Sequence, residues 1–316
     1  MTEQSQSAQG NGTLSVAIFS YNRGLYLQNL LASLTRHMPQ VQVTVYDDDS
    51  DDPETLDVLA KCDAAVVTCR SAQGLRHGNL YRNMQRALDE CETDWLLFLQ
   101  DDTQVLRDLD ANTMANIQRV FADPDIAFLR PQLFKGENAT SYFDRTTPDE
   151  ATRIYRPKLS GKNVQFGLAY CDVVLADATK LKAVGWQFSH QERANQEQAR
   201  GLFKHMPIMG DPLMFYCPEV PSYRDRKLYL ASKLVQRRRG GRVVAYHPMT
   251  VQAQADFLAR PLTVPPVAEQ FLEPTEPDVV RPFVFQDYSR NRWLTALYKV
   301  ESRLVRIARG IKGIFG

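Results

Sequence analysis

Two adjacent carboxylates, Asp101 and Asp102, follow a short apolar stretch in this 316-residue sequence. The run, residues 95–99, has the length and composition of a buried strand. Neighbouring carboxylates at a strand end repel each other, and a divalent cation relieves that repulsion. Mg²⁺ and Mn²⁺ prefer such oxygen ligands and usually also bind substrate phosphates. The alternative interpretation is a solvated turn, because Asp is common in turns.

Two further polar groups could bind parts of a nucleotide. The acidic run 47–52 follows a predicted strand, where a carboxylate can accept hydrogen bonds from a base or ribose; alternatively it caps the helix that begins near Pro53. Arg76, Arg82 and Asn83 lie around the start of another predicted helix, where such groups suit a diphosphate, although ordinary surface charge is the alternative. Because GxGxxG and GxxxxGK[ST] motifs are missing, Rossmann dinucleotide and P-loop sites are disfavoured.

Alternating strands and helices must position these side chains. Strands are predicted at 14–19, 41–46, 64–69 and 95–99, and helices at 25–37, 53–59 and 79–91. This alternation predicts βαβ units and a largely parallel sheet. Ligands of such sheets bind outside the carboxyl ends of the strands. Because polar clusters follow the first, second and fourth strands, we expect them to share one cleft.

The second half of the sequence is less regular. Strands are predicted at 126–129, 165–175 and 242–246, and helices at 178–184, 225–239 and about 290–314. Gly185 is the predicted C-cap of the first of these helices. Six prolines within 261–282 predict a segment that wraps the surface without a core of its own. Residues 186–224 are predicted to be loops with short helices that form a substrate pocket.

Four motifs, in order and spacing, resemble the nucleotide-sugar-binding half of GT-A glycosyltransferases, particularly family 2. They are Ser20-Tyr21-Asn22-Arg23, the acidic run 47–52, Arg82-Asn83, and residues 95–102. The resemblance implies an α/β GT-A fold with a mostly parallel central sheet flanked by helices. It also implies a nucleotide-diphospho-sugar donor, a saccharide or lipid-linked acceptor, and inverting transfer assisted by Mg²⁺ or Mn²⁺ in polysaccharide or glycoconjugate synthesis.

The resemblance also assigns roles to residues. Those implied to bind the nucleotide-sugar are Ser20, Tyr21, Asn22, Arg23, Asp48, Arg76, Arg82, Asn83 and Asp101. Tyr21 and Arg23 would flank the base and Asp48 would bind it, while Arg76 or Arg82 would lie near the diphosphate. Asp102 would be the metal ligand, with Asp101, nearer the ribose, and His247 as further candidates. Gln100 stands where many members carry Asp, which weakens the prediction of a metal.

A carboxylate base is implied about a hundred residues beyond the Asp101–Asp102 pair. The first choice is Asp211, in Ile208-Met-Gly-Asp211; the second is Asp225, at the start of a predicted helix, and the third is Glu219. Such a base would deprotonate the acceptor hydroxyl. A helix N-cap is the alternative role for Asp211 and Asp225.

The predicted last helix is basic and amphipathic. Its apolar residues recur at spacings of three and four: Leu297, Val300, Leu304, Ile307, Ile311 and Ile314. Residues 290–316 contain seven Lys and Arg and one Glu, a net +6, whereas the whole chain carries only +1. Membrane-surface binding, packing on the same domain and homodimerisation are the three alternatives for this helix.

These patterns predict an overall organisation. A disordered tail is expected at 1–12, a GT-A domain at 13–255 with nucleotide-sugar and acceptor halves at 13–105 and 125–250, a Pro-rich segment at 256–289, and the basic helix at 290–316. The N-terminus has no signal-peptide pattern, and five widely spaced cysteines form no CxxC pair. We therefore expect a cytoplasmic protein, with membrane contact at the inner face.

Composition excludes other classes. An apolar content of 44% excludes a disordered chain, and balanced charge argues against nucleic-acid binding by the whole surface. Two rival functions stay open. A nucleotidyltransferase that makes nucleotide-sugars is disfavoured because the loop 20–24 is not Gly-rich. A glycosyltransferase-like binding protein without activity is the second rival, and Gln100 keeps it open.

Overall fold

A computed structural model describes residues 12–69, 79–158, 169–203, 205–224 and 227–315 of the chain. Two predicted site residues, Arg76 and Asp225, lie outside these ranges, as do residues 1–11 of the predicted tail and 165–168 of a predicted strand.

The strands, in chain order, are β1 (Leu14–Ser20), β2 (Gln42–Asp47), β3 (Ala65–Thr68), β4 (Trp95–Gln100), β5 (Thr103–Val105), β6 (Phe128–Leu129), β7 (Thr146–Asp149), β8 (Ile154–Pro157), β9 (Val174–Asp177), β10 (Ile208–Met209), β11 (Met214–Tyr216), β12 (Tyr223–Arg224) and β13 (Lys227–Leu228). The helices are α1 (Gly24–His37), α2 (Pro53–Lys61), α3 (Leu80–Glu90), α4 (Ala111–Phe121), α5 (Ala139–Asp144), α6 (Ala178–Ala183), α7 (Glu192–Leu202), α8 (Leu230–Arg239), α9 (Val251–Ala259), α10 (Ala268–Phe271) and α11 (Arg292–Phe315). A 3₁₀ turn spans Gly136–Asn138.

The central sheet has the strand order β3-β2-β1-β4-β9-β6. The first four strands are parallel, and β9 runs antiparallel to both of its neighbours. Alternate residues of β1 pack on opposite faces: Val16 and Ile18 join a core with α1 and α4, whereas Ala17 and Phe19 join a core with α3, α6 and α7. The predicted α/β architecture with a mostly parallel sheet flanked by helices is confirmed.

The carboxyl edge of this sheet brings distant parts of the chain together. The antiparallel β9 presents its N-terminal end at this edge, and its register, with Val174 opposite Phe98, places Asp172 beside the end of β4. The strand β6 is parallel to β4, so Arg130, which follows it, lies at the same edge. Along the edge the order is therefore Asp48, Tyr21, Asp101, Asp172 and Arg130.

Two predicted elements of the second half begin later in the structure than the sequence predicted. The helix α8 begins at Leu230 rather than near residue 225, because β12 and β13 form a short hairpin before it. The segment 169–173 is not a strand, and β9 begins only at Val174. The predicted end of α8 is confirmed, since its C-cap Gly240 has a φ of 66°.

The predicted strand 242–246 is also absent, since 242–245 are irregular and Tyr246 forms a single bridge to Pro274. Its backbone finds a side-chain partner instead of a strand. The N–H of Tyr246 donates to Oε1 of Gln104 at 2.9 Å, and Nε2 of Gln104 donates to the Tyr246 carbonyl at 2.9 Å. A buried amide side chain thus satisfies the groups that a strand would have paired.

The proline-rich segment 261–282 contributes apolar side chains to cores that it shares with other elements of the domain. Its buried side chains pack in two small clusters with residues of β8, β10 and β11: Leu262, Val267, Ala268 and Leu272. The segment therefore covers the second half of the domain and buries apolar surface there.

Candidate functional site

The Asp101–Asp102 pair is buried at the end of β4, with exposures of 0% and 1%. Arg23, from the loop after β1, forms ion pairs with both carboxylates: its Nη2 lies 3.0 Å from Oδ1 of Asp101, and its Nη1 contacts Oδ2 of Asp102. The N–H of Tyr21 donates to Oδ2 of Asp101 at 3.1 Å. These contacts join the β1 loop to the end of β4.

Burial and charge oppose each other at this cluster. Burial raises the pKa of Asp101 above its usual range; the Arg23 charge opposes this rise, and the Asp102 charge adds to it. Burial lowers the pKa of the Arg23 guanidinium, but the two carboxylates raise it by more. Arg23 therefore stays charged and acts as a fixed cation between two buried acids.

One oxygen of this pair fits a metal ion. Oδ1 of Asp102 is buried, and no described residue donates a hydrogen bond to it. Magnesium is commonly held by one or two carboxylates, with water and substrate phosphate completing its ligands. Within the described ranges, no three His, Cys, Asp or Glu side chains are grouped to hold a metal, so the exposed His247 does not complete such a group with Asp101 and Asp102.

The side chains predicted to bind the nucleotide tie the β1 loop to the next two loops. Oδ1 of Asn22 accepts from the N–H groups of Asp51 and Asp52 at 2.9 and 3.0 Å. Asp48 accepts from the N–H and Nδ2 of Asn79, just before α3, at 3.1 and 2.7 Å. These hydrogen bonds fix the loops after β1 and β2 and the start of α3 relative to one another.

The other predicted residues on this side differ in exposure. The carbonyl of Ser20 accepts from the N–H of Asp48 at 2.9 Å, while the Ser20 side chain is buried. On α3, Arg82 is exposed and Asn83 is 2% exposed. Of these two, only Arg82 therefore presents its side chain to solvent.

Asp211 is enclosed by arginines. Arg153 donates through Nε to Oδ2 at 2.9 Å and through Nη2 to Oδ1 at 2.7 Å, and Nη1 of Arg260 donates to Oδ1 at 2.9 Å. The pairing of β5 with β11 sets Asp211 at the far end from Asp102, where its carbonyl contacts Arg107. Both oxygens of this predicted base are already engaged.

Glu219, the third choice, is also paired. It is 3% exposed and forms ion pairs with Arg239 and with Nε of Arg290, the latter at 3.2 Å. Both pairs tie α8 and the segment before α11 to the core. These contacts are those of a structural carboxylate.

Two acids that the sequence reasoning missed lie on the other side of Asp101. Glu192 is the first residue of α7, and burial raises its pKa to about 7, with the charge of Asp172 adding to the rise. Burial also raises the pKa of Asp172 to about 6, although hydrogen bonds from Tyr170 and Tyr81 oppose it; Oη of Tyr81 donates at 3.1 Å. The available sequence signal was an acid at a helix start, within a region predicted only as loops and short helices.

One protein family matches the first half of this chain. Residues 15–173, half of the chain, match the family described as Glycosyl transferase family 2. A search of curated proteins finds no match.

The chain is also similar to three solved structures from S. aureus. TarS 1-349 is 18% identical with a TM-score of 0.47, and TarS 1-349 in complex with UDP is 19% identical with a TM-score of 0.48; both alignments cover 65% of this chain and 60% of the other. TarS itself is 18% identical with a TM-score of 0.48, covering 65% of this chain and 36% of TarS. The chain thus spans less than two thirds of these structures. On the family match, the chain belongs to glycosyl transferase family 2, a family of glycosyltransferases.

Proposed function

We propose that this chain transfers a sugar, with inversion, from a nucleotide-diphospho-sugar to a hydroxyl of a saccharide or lipid-linked acceptor, in polysaccharide or glycoconjugate synthesis. One observation carries the proposal: the buried Asp101–Asp102 pair lies midway along the carboxyl edge of the sheet. Asp48 and Tyr21 lie on one side of the pair, and Asp172 and Arg130 lie on the other. This edge is where open α/β sheets bind ligands.

The nucleotide occupies the side formed by β1, β2 and α3 in this proposal. Tyr21 flanks the base and Asp48 accepts its hydrogen bonds, because both side chains lie on loops at the ends of neighbouring parallel strands. Arg23, Ser20 and Asn22 hold those loops, and Asp101 lies nearest the ribose. Arg82 reaches the diphosphate from α3, with Arg76 as a further candidate, while the buried Asn83 stays a prediction.

Asp102 would hold Mg²⁺ or Mn²⁺ through its unpartnered Oδ1, with Asp101 as its neighbour. When bound, such an ion offsets the negative charge that develops on the departing diphosphate. Arg23 contacts both carboxylates, so a bound ion would share them with this guanidinium. His247 stays a predicted ligand that the geometry does not favour.

We place the base at Glu192 instead of Asp211. An inverting displacement needs a carboxylate that takes the proton of the acceptor hydroxyl while its oxygen bonds to the anomeric carbon and the bond to the diphosphate breaks. Arginines occupy both oxygens of Asp211, whereas Glu192 is poised near neutral pH. The charge of Arg130 also acts on Glu192, which supports a position for Glu192 on the side of the edge away from the proposed nucleotide side.

A basic helix end attaches the enzyme to a membrane surface in our proposal. The first half of α11 packs on the domain. The ring of Tyr298 stacks on that of Tyr288 with 4.4 Å between their centroids, and Oε2 of Glu301 accepts from the N–H of Leu230 at 2.7 Å. Further along, the apolar stripe is exposed by 55–59% at Val300, Leu304 and Ile307.

This exposed stripe lies among basic residues, a combination that suits an anionic lipid surface. No helix in the part of the chain that the structure describes is long and apolar enough to cross a bilayer. An interfacial contact would suit a lipid-linked acceptor, and a dimer through the same stripe is the alternative.

Nucleoside diphosphate release tests the transfer reaction. With Mn²⁺ and a panel of nucleotide-sugars, we expect release from at least one donor. Asp102→Asn should lower the rate by about 10²-fold or more, because it removes charge from the carboxylate that faces the leaving group. The matched control Asp57→Asn, on the exposed face of α2, should keep the wild-type rate.

Other outcomes of that assay identify the rivals. Nucleotide binding without release from any donor would indicate an inactive binding protein. Pyrophosphate formed from a nucleoside triphosphate and a sugar phosphate would indicate a nucleotidyltransferase. If no nucleotide binds, the proposed function is overturned.

Removing the Arg23 charge tests the assignment of the metal ligands. In the metal-free chain, Arg23→Gln should lower the free energy of unfolding by about 3–5 kcal/mol, because two buried carboxylates lose their counter-charge. Mn²⁺ should then raise Tm more in this variant than in the wild type, and electron paramagnetic resonance should show tighter Mn²⁺ binding. Arg23→Lys, which keeps the charge, is the control. Equal Mn²⁺ affinity in wild type and Arg23→Gln would contradict the assignment.

The pH dependence of kcat/KM tests the base. Glu192 has a raised pKa in the folded protein, so it is protonated and inactive below about pH 7, and kcat/KM should rise through that value. Glu192→Gln should abolish this rise and lower kcat by about 10²–10⁴-fold. Asp211→Asn should lose stability but keep the profile in the folded fraction. A variant Glu192→Gln with wild-type kcat would return Asp211 to first place.

Sedimentation with lipid vesicles tests the membrane contact. The full chain should bind vesicles of phosphatidylglycerol and not of phosphatidylcholine, and salt should weaken the binding. Changing Val300, Leu304 and Ile307 together to Ser should reduce binding at least about tenfold. Val280→Ser, an apolar residue 62% exposed outside α11, is the control. A two-chain mass in solution without vesicle binding would favour the dimer.

A further inference from the structure

Two cations on the acceptor side of the site have no carboxylate partner among the described residues. Arg130 follows β6 and is 6% exposed, and Lys135 lies five residues further on and is half-buried. Within the described residues, neither forms an ion pair. Buried cations are normally paired, because removing an unpaired charge from water is costly.

The groups in direct contact with these two cations are neutral, while the charges of Glu192, Glu137 and Asp102 act on them from further away. Nε of Arg130 donates to Oε1 of Gln132 at 3.2 Å, and its guanidinium lies 4.8 Å from the ring centroid of Tyr142. Nζ of Lys135 lies 5.0 Å from the ring centroid of Tyr216 and 5.8 Å from that of Phe285. Aromatic faces stabilise cations only modestly. Burial lowers the pKa of Lys135 and the neighbouring Arg130 charge lowers it further, so the two cations repel each other.

The fold places these cations next to the reacting groups. Tyr216 pairs with Thr103 across β5 and β11, and the N–H of the following residue, Cys217, donates to the carbonyl of Asp102 at 2.8 Å. The charge of Asp102 acts on both Lys135 and Tyr216, and that of Glu192 on Tyr216. The cations therefore lie near the proposed base.

They lie on the opposite side from the nucleotide loops. Arg130 follows the strand at the far end of the sheet order from β2 and β3, with β9 and β4 between it and β1. An anion bound there is consequently separate from the base and ribose held near Asp48 and Asp101.

We propose that Arg130 and Lys135 bind an oxyanion of the acceptor, a phosphate or carboxylate group near the hydroxyl that reacts. The bound anion would neutralise the two cations, and the faces of Tyr142, Tyr216 and Phe285 would contact the neighbouring sugar ring. The planar guanidinium of Arg130 can bind two oxygens of such a group, and Lys135 supplies a point charge. This inference rests on the proposed function, because it assigns the acceptor side of that site.

Binding of small oxyanions to the full chain tests this assignment. The chain is first saturated with Mn²⁺ and whichever of UDP, GDP, ADP and CDP binds, and glycerol phosphate or glucuronate is then titrated by calorimetry. We expect at least one of them to bind the nucleotide-saturated wild type, and the stronger of the two identifies phosphate or carboxylate. Arg130→Gln and Lys135→Gln should each weaken that binding at least about tenfold and leave the nucleotide affinity within about twofold.

The control for this titration is Lys61→Gln, which removes an exposed cation on α2. This variant should bind both oxyanions as the wild type does. If saturating nucleotide abolishes oxyanion binding, or if Lys135→Gln, the less buried and milder change, binds as tightly as wild type, the cations do not hold the acceptor and the inference is overturned. If no nucleoside diphosphate binds, the proposed function fails instead, and titration of the nucleotide-free chain still decides whether the two cations bind an oxyanion.

Discussion

The site depends on one electrostatic constraint, the burial of two adjacent carboxylates at the end of β4. Asp101 and Asp102 cannot both stay charged there without a counter-charge, and Arg23 supplies it from a different loop. The ion pairs therefore fix the position of the β1 loop, and Tyr21 is fixed with it through its N–H bond to Asp101. The same two carboxylates are the ones proposed to hold a metal ion.

The antiparallel strand β9 gives the site its second side. In a sheet with only parallel strands, every strand would present its C-terminal end at this edge. Because β9 is reversed, it presents Asp172 at its N-terminal end beside the paired acids, and β6 beyond it adds Arg130. The hydrogen-bond acceptors proposed to bind a nucleotide thus lie on one side of Asp101, and the acids and cations proposed to bind an acceptor lie on the other.

The pairing of β5 with β11 determines which acids of the second half approach the centre. This short ladder brings Tyr216 and Cys217 against Asp102 and carries Asp211 away to the arginines of another cluster. A shift of the ladder along the chain would exchange these neighbours, because residue identity at a given position depends on register. Gln104 adds to this control by binding the backbone of Tyr246 from within β5.

The sequence by itself determined the first half of the fold and the residues on the side of the candidate site proposed to bind the nucleotide. Periodicity is a local property, so the strands from β1 to β4, the helices between them and the acids at 47–52 and 101–102 could be predicted from short windows. The segment that matches the family, residues 15–173, covers these acids and elements apart from Leu14. The basic helix α11 could also be predicted from short windows, because its apolar residues recur at helical spacing.

Only the tertiary structure decided the acceptor side. Asp172 and Glu192 come from two segments, and Arg130 and Lys135 from a third. They meet through an antiparallel strand and long-range packing, which no sequence spacing encodes. The choice between Asp211 and Glu192 likewise depends on their surroundings: guanidinium groups from residues 153 and 260 surround the first, while burial beside another acid raises the pKa of the second. Spacing along a chain predicts which residues share an element, but desolvation and charge pairing depend on neighbours that only the folded chain provides.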